Sequence, residues 1–230
     1  MVPRARLLLS VFALAVCGCP AEMLGVELPS GGPDAISQED LQRDTWMLSE
    51  LGDRRAQLGE AALRVQSRMQ QMHTIPGYGR SFQDGMGGNA RVICSQKDGQ
   101  RRAPTLVVVD DPGVGVAGGA AAFASLISVL KGFDVPGLPE KTLLACVLMG
   151  DDARTRFSQK PPHPLEDIGE IFIIGPVGGG TMIAEPATFL GRDAVRLRMD
   201  TPPQTDTLEA IDYRELRGGV VGMHRTIKAK

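Results

Sequence analysis

Thr105-Leu-Val-Val-Val109, Asp110-Asp-Pro112, Gly113-Val-Gly-Val-Ala-Gly-Gly119, Ala120-Ala-Ala-Phe-Ala-Ser-Leu-Ile-Ser-Val-Leu-Lys131 and, after a connection, Thr142-Leu-Leu-Ala-Cys-Val-Leu-Met149 form the stretch that decides the fold. The first segment is a short, continuous apolar run rich in β-branched residues, the pattern of a strand buried on both faces in a parallel sheet. The glycine-rich turn leads into a helix in which Phe123, Leu126, Ile127 and Leu130 recur at helical spacing, and the alanines let that helix lie close on the sheet. The last segment is a second buried strand that ends in Gly150-Asp151-Asp152. Two strands joined by one helix make a βαβ unit. Open α/β sheets bind ligands beyond the carboxyl ends of their strands, and this unit places Asp110, Asp111, Asp151 and Asp152 at that edge.

Composition narrows the rest. The 230 residues fit one domain plus a leader, and a 43% hydrophobic content can build a core. A formal charge of -2 gives no basic footprint, which excludes nucleic acid as the expected partner. The 4% aromatic content argues against base-stacking platforms and carbohydrate grooves.

Upstream, Met1 to Arg6 is a basic n-region and Leu7 to Val16 an apolar stretch too short to span a bilayer, the pattern of a secretory signal. Val16-Cys-Gly-Cys19 resembles the bacterial lipobox, with Cys19 the lipidated residue. The expected organisation is a signal peptide at 1–18, a lipidated Cys and flexible tether at 19–36 that includes Pro29-Ser-Gly-Gly-Pro33, and an α/β domain at 37–230. The resemblance implies an exported protein held in the bacterial cell envelope through lipid on Cys19.

Within the domain, Ser37-Gln-Glu-Asp40 reads as a helix N-terminus, and two helices follow, the second marked by Leu58, Ala62, Val65, Met69 and Met72. Gly77 to Gly88 reads as a loop, Ala90 to Ser95 as a strand, and Lys97 to Gln100 as a hairpin turn returning to the strand at Thr105. Ile168 to Ile174 and Ala194 to Met199 read as strands, Leu208 to Arg217 as a short helix and Gly219 to Met223 as a last strand. Apart from Cys17 and Cys19 only Cys94 and Cys146 remain, each within a predicted strand; a disulfide between them needs a distance that sequence does not supply.

Three readings compete at the edge that carries the aspartates. Gly113, Gly115 and Gly118 spell G-x-G-x-x-G between strand and helix, the dinucleotide fingerprint. Against it, Asp110 and Asp111 would stand beside a pyrophosphate. A second reading comes from resemblance. From about Glu39 to Met223 the order of segments is similar to that of the di-zinc aminopeptidase family, which also contains glutaminyl cyclases and the transferrin-receptor ectodomain. Asn89-Ala-Arg-Val-Ile93 stands where members have Asn-Val-Ile, and Asp110-Asp-Pro112 where their next strand ends in His-x-Asp. Gly118 to Ile127 follows the family's helix-opening run, with Val114-Gly115-Val116 filling the place of the metal-bridging Asp, at Gly115 or Val114. Gly150-Asp-Asp152 stands where members carry Glu-Glu, Gly175-Pro-Val-Gly178 where they carry an Asp ligand, and Asp206-Thr207 at their Asp-His pair.

That resemblance implies a three-layer α/β/α fold with a mostly parallel mixed sheet. It also implies a vestigial cleft at Asp110, Asp111, Gly115, Asp151, Asp152, Gly175 and Thr207. A co-catalytic zinc site needs imidazoles and a bridging carboxylate. His73, His163 and His224 all fall outside the matching positions. The expectation is a degenerate member without zinc or peptidase activity, acting as a binding or scaffold module toward a peptide or an envelope protein. The third reading keeps a metal-dependent hydrolase: Asp110, Asp111, Asp151 and Asp152 would hold Ca²⁺ or Mg²⁺, which take oxygen ligands. The alternative for the same four is that they are solvated strand ends.

Overall fold

The computed structural model describes residues 31–72, 78–84, 89–111, 113, 115–134, 139–200 and 207–230. Residues 1–30, with the expected signal peptide and Cys19, lie outside them, as do His73, Pro112 and Asp206.

The strand predicted at Thr105 to Val109 extends to β3 (Arg101–Asp111), and the second buried strand is β4 (Lys141–Met149). They pair in parallel, with α3 (Ala121–Gly132) between them in the chain. Pro104 lies in a central strand, where it cannot donate to a ladder; the pairing of β3 with β4 shifts register between Arg101 and Thr105, which accommodates it. Side chains alternate across the sheet with period two. Val107, Val109, Leu143, Ala145 and Val147 face one core, and Leu106, Val108, Leu144, Cys146 and Leu148 face the other.

The sheet has seven strands in the order β1-β2-β4-β3-β5-β7-β6. Here β1 is Tyr78–Asp84, β2 Arg91–Lys97, β5 Ile171–Ile174, β6 Met182–Phe189 and β7 Arg192–Met199. The four central strands β4, β3, β5 and β7 are parallel, and the marginal pairings, β1 with β2, β2 with β4 and β6 with β7, are antiparallel. On one face lie α1 (Gln38–Ser49), α2 (Leu58–Gln71), α3 and α5 (Tyr213–Ala229). On the other, Ala153 and Phe157 of α4 (Ala153–Gln159) pack with Ile168 and Phe189. The fold is therefore the expected three-layer α/β/α sandwich around a mixed, mostly parallel sheet.

Several local expectations are corrected. Lys97 to Gln100 does not close a hairpin onto β3, because β2 pairs with β1 and β4 and the βαβ unit has already made β3 the parallel partner of β4 on the far side. The stretch read as a loop, Gly77 to Gly88, contains the edge strand β1, held by backbone pairing to β2 that composition does not reveal. Residues 153–159 and 182–189, left unassigned in sequence, are α4 and β6; β6 tolerates Pro186 because it is an edge strand.

Gly219 to Met223 is helix, not strand. It lies inside the single helix α5, whose Leu216, Gly219, Val220, Met223 and Ile227 form a buried stripe at intervals of three and four. The tether boundary also moves. Ile36 is fully buried and the Gly32 N–H donates to the Gly132 carbonyl at 2.7 Å, so residues 32–36 belong to the packed domain.

Cys94 and Cys146 are direct cross-strand partners in β2 and β4, and their sulfurs are bonded.

Candidate functional site

The sheet register brings the strand ends together. Val109 faces Ile174 across β3 and β5, while Asp110 faces Leu148 and Asp111 faces Met149 across β3 and β4. Asp110, Asp111, Asp151, Asp152 and Gly175 thus share the carboxyl edge of the three central strands. Gly115 joins them at the entrance to α3, which opens with a π-wound turn over Val116–Ala120. Thr207 heads the short turn before α5, where its carbonyl accepts from Ala210, and no bond among the described residues ties it to the aspartates.

The centre of this edge is an arginine that sequence reading missed. Arg54, from the connection between α1 and α2, is 1% exposed. Its Nε and Nη2 donate to the two oxygens of Asp111 at 2.8 Å each, and Nη2 also donates to the Gly115 carbonyl at 2.9 Å. Such a fork of parallel bonds fits a planar guanidinium to a carboxylate and orients both. Asp111 is 3% exposed and additionally accepts from the Gly113 N–H at 2.9 Å, while the Arg54 backbone N–H donates to the Gly113 carbonyl at 2.6 Å.

The glycines of the turn serve this arrangement. Gly113 and Gly115 take φ near 80°, which lets their carbonyls turn toward Arg54. A Cβ on Gly119 would lie 2.0 Å from Arg54 Nη2 and 2.3 Å from Asp111 Oδ1. The dinucleotide-like spelling therefore wraps a guanidinium, and the Gly113 N–H that a phosphate would need is committed to Asp111.

The other aspartates are turned apart. Asp110 pairs with Arg154 of α4, Nε to Oδ2 at 2.6 Å, with Asp110 one-third and Arg154 half exposed. Asp151 projects into solvent, 79% exposed and 3.9 Å from Arg55. Asp152 stands at the N-cap of α4 without a side-chain cap bond. Gly175 lies against the stems of Arg196 and Arg198, whose charges meet Glu185.

A co-catalytic zinc pair does not fit these residues. The buried carboxylate of Asp111 is held by a fixed positive charge, and neither described histidine is near. His163 bonds Gln96 Oε1 at 2.6 Å, beside the start of β4, and His224 lies by Gly132 and Phe133 at the same, opposite edge. Among the described residues no group of three or more His, Cys, Asp or Glu converges on a point where a metal could sit. The four aspartates proposed as a Ca²⁺ or Mg²⁺ cage likewise point to different partners. No signal in a single sequence marks Arg54, which reads as one charge of a polar Asp53-Arg54-Arg55 turn.

No protein-family model matches the chain, and no curated protein is similar to it in sequence. Solved structures are similar in fold. A leucine aminopeptidase precursor from Bacteroides thetaiotaomicron aligns with a TM-score of 0.66 at 10% identity, over 85% of this chain and 98% of that one. The LapA aminopeptidase of Legionella pneumophila aligns with a TM-score of 0.64 at 10% identity, over 86% of this chain and 73% of that one. Glutaminyl cyclase from Porphyromonas gingivalis gives 0.63 at 10% identity, over 83% and 97%. At such identities the likeness shows a shared fold.

Proposed function

We propose that this aminopeptidase-like domain is a zinc-free, catalytically inactive binding or scaffold module, anchored in the bacterial envelope through lipid on Cys19 once residues 1–18 are removed. The observation that carries it is the Arg54–Asp111 pair. Metal-assisted hydrolysis requires a cation with an open coordination position beside a polarised carbonyl. Here a guanidinium, which has no acceptor capacity, sits against the one carboxylate of the carboxyl edge that is buried among the described residues. The remaining aspartates at that edge are neutralised by arginines or solvated, so none is held as a general base near a reacting group.

The buried Cys94–Cys146 disulfide supports an exported chain, because disulfides persist in oxidising compartments. The partner class is a peptide or an envelope protein.

Elemental analysis of the purified full chain, combined with an aminopeptidase panel in the presence of added zinc, tests the reading. The expected result is substoichiometric zinc and no hydrolysis. Near-stoichiometric zinc, or an aminopeptidase activity lost in Asp152→Asn, overturns it, and tight Ca²⁺ or Mg²⁺ binding lost in an Asp110→Asn, Asp152→Asn double variant would put a hard-cation site in its place. Mass spectrometry of the mature N-terminus tests the anchor; an unmodified terminus refutes it.

A further inference from the structure

At the edge of the sheet opposite the aspartates, a cavity of about 210 Å³ opens between the C-terminal ends of α3 and α5 and the start of β4. Phe133 and Pro139 give it apolar walls, and Lys141, Glu140, His224 and Lys228 supply its polar ones.

His224 is 2% exposed, and among the described residues neither of its ring nitrogens has a hydrogen-bond partner. The Gly132 backbone comes close to the ring without reaching hydrogen-bond geometry, and Phe133 packs against it with centroids 4.5 Å apart. A buried imidazole with both nitrogens idle is uncommon, since buried polar side chains nearly always find a partner in protein or in something bound.

The charges around the cavity do not cancel. Lys97 Nζ is used by the Phe133 carbonyl at 3.0 Å and by Asp134 at 3.2 Å. Lys141 Nζ donates to Glu170 at 2.7 Å and to the Ile227 carbonyl at 2.9 Å, which leaves one of its three N–H groups. Glu140 pairs with Arg101. Lys228, exposed at the rim, enters no ion pair among the described residues, so the charge left over is positive.

We propose that this cavity binds a small organic monoanion. Its carboxylate would meet Lys228 and the third N–H of Lys141, its flat apolar body would lie on Phe133 and Pro139, and His224 would hydrogen-bond at the inner end. Size agrees: a cavity of about 150 Å³ already admits benzene. Burial first, and then the nearby positive charges of Lys228 and Arg225, hold His224 below its ordinary pKa of 6.5. An anion beside them offsets that field and raises it.

The test is a titration of the full chain, carrying ¹³C-labelled histidine, with sodium benzoate, followed by NMR and repeated with benzyl alcohol and with benzylammonium chloride. The His224 signal is assigned by its loss in His224→Gln. The expected result is a saturable benzoate-dependent shift of that signal and a higher His224 pKa with benzoate bound. Both neutral and cationic isosteres should bind more weakly, and benzoate affinity should fall by about threefold to fivefold in Lys228→Gln, whose exposed position spares the fold. No saturable shift, equal binding of the three compounds, or an unchanged affinity in Lys228→Gln overturns the proposal.

Discussion

Arg54 and Asp111, 57 positions apart in the chain, meet in a two-bond fork that is almost wholly shielded from solvent. Removing either partner leaves the other as an uncompensated buried charge. Arg54→Ala or Asp111→Ala should therefore cost about 3–5 kcal/mol of stability, whereas Arg54→Met combined with Asp111→Leu should recover most of that loss. Urea unfolding of the two single variants and the double variant measures the difference.

Asp110 offers the contrast. Its pairing with Arg154 is partly solvated on both sides, and such pairs contribute about 0–1 kcal/mol. Asp110→Asn should shift the urea midpoint barely at all, although it is the immediate neighbour of Asp111.

The glycines of α5 separate two kinds of position. Gly218 has open space where a Cβ would be, so Gly218→Ala should stabilise by about 0.5–1 kcal/mol through helix propensity. A Cβ on Gly219 would lie 2.2 Å from the sulfur of the buried Met199, so Gly219→Ala should destabilise by about 1–3 kcal/mol. Melting temperatures moving in opposite directions for adjacent substitutions would confirm the helical assignment of this segment; a strand would show no such split.

His224 should make the domain sensitive to acid. Its folded-state pKa is lowered, first by burial and then by Lys228 and Arg225 on its own helix, with Lys141 and Glu140 facing it from β4 and its flank and Gly132 and Phe133 from α3. Below about pH 6.5 the unfolded chain then binds more protons than the folded one, so stability falls as pH falls, and above that value this group has no effect. The loss at pH 5 is bounded at about 2 kcal/mol. In His224→Leu the difference in unfolding free energy between pH 8 and pH 5 should shrink by the same amount; an unchanged difference would assign the acid sensitivity to other groups.

The central βαβ unit was legible because its patterns are strong: three valines in a row before a turn, then helical apolar spacing and a second continuous apolar run. The edge strands were not, since what identifies β1 and β6 is their backbone pairing to β2 and β7, which side-chain patterns do not encode. Glycines misdirected the reading of α5, where Gly218, Gly219 and Gly222 weaken the helical signal and two of them admit methionine side chains from Met199 and Met182. The location of the strand-end aspartates followed from topology. Their partners did not, because α2, β1 and β2 lie between Arg54 and the strand that ends in Asp111, and nothing local announces a contact over that distance. The glycine turn shows the same limit: its spelling is shared by an anion cradle and by a sleeve for a guanidinium, and only the neighbour that fills it tells them apart.

The sulfur bridge between β2 and β4 joins cysteines 52 positions apart and closes a ring that contains β3 and α3. A protease that nicks the backbone once anywhere inside this ring yields two fragments that still migrate as one molecule until a reductant is added. Cleavage in the connection before β4 would accordingly go unseen on a non-reducing gel, and the cut chain would keep its central strands at the same local concentration as the intact one, poised to re-form the sheet.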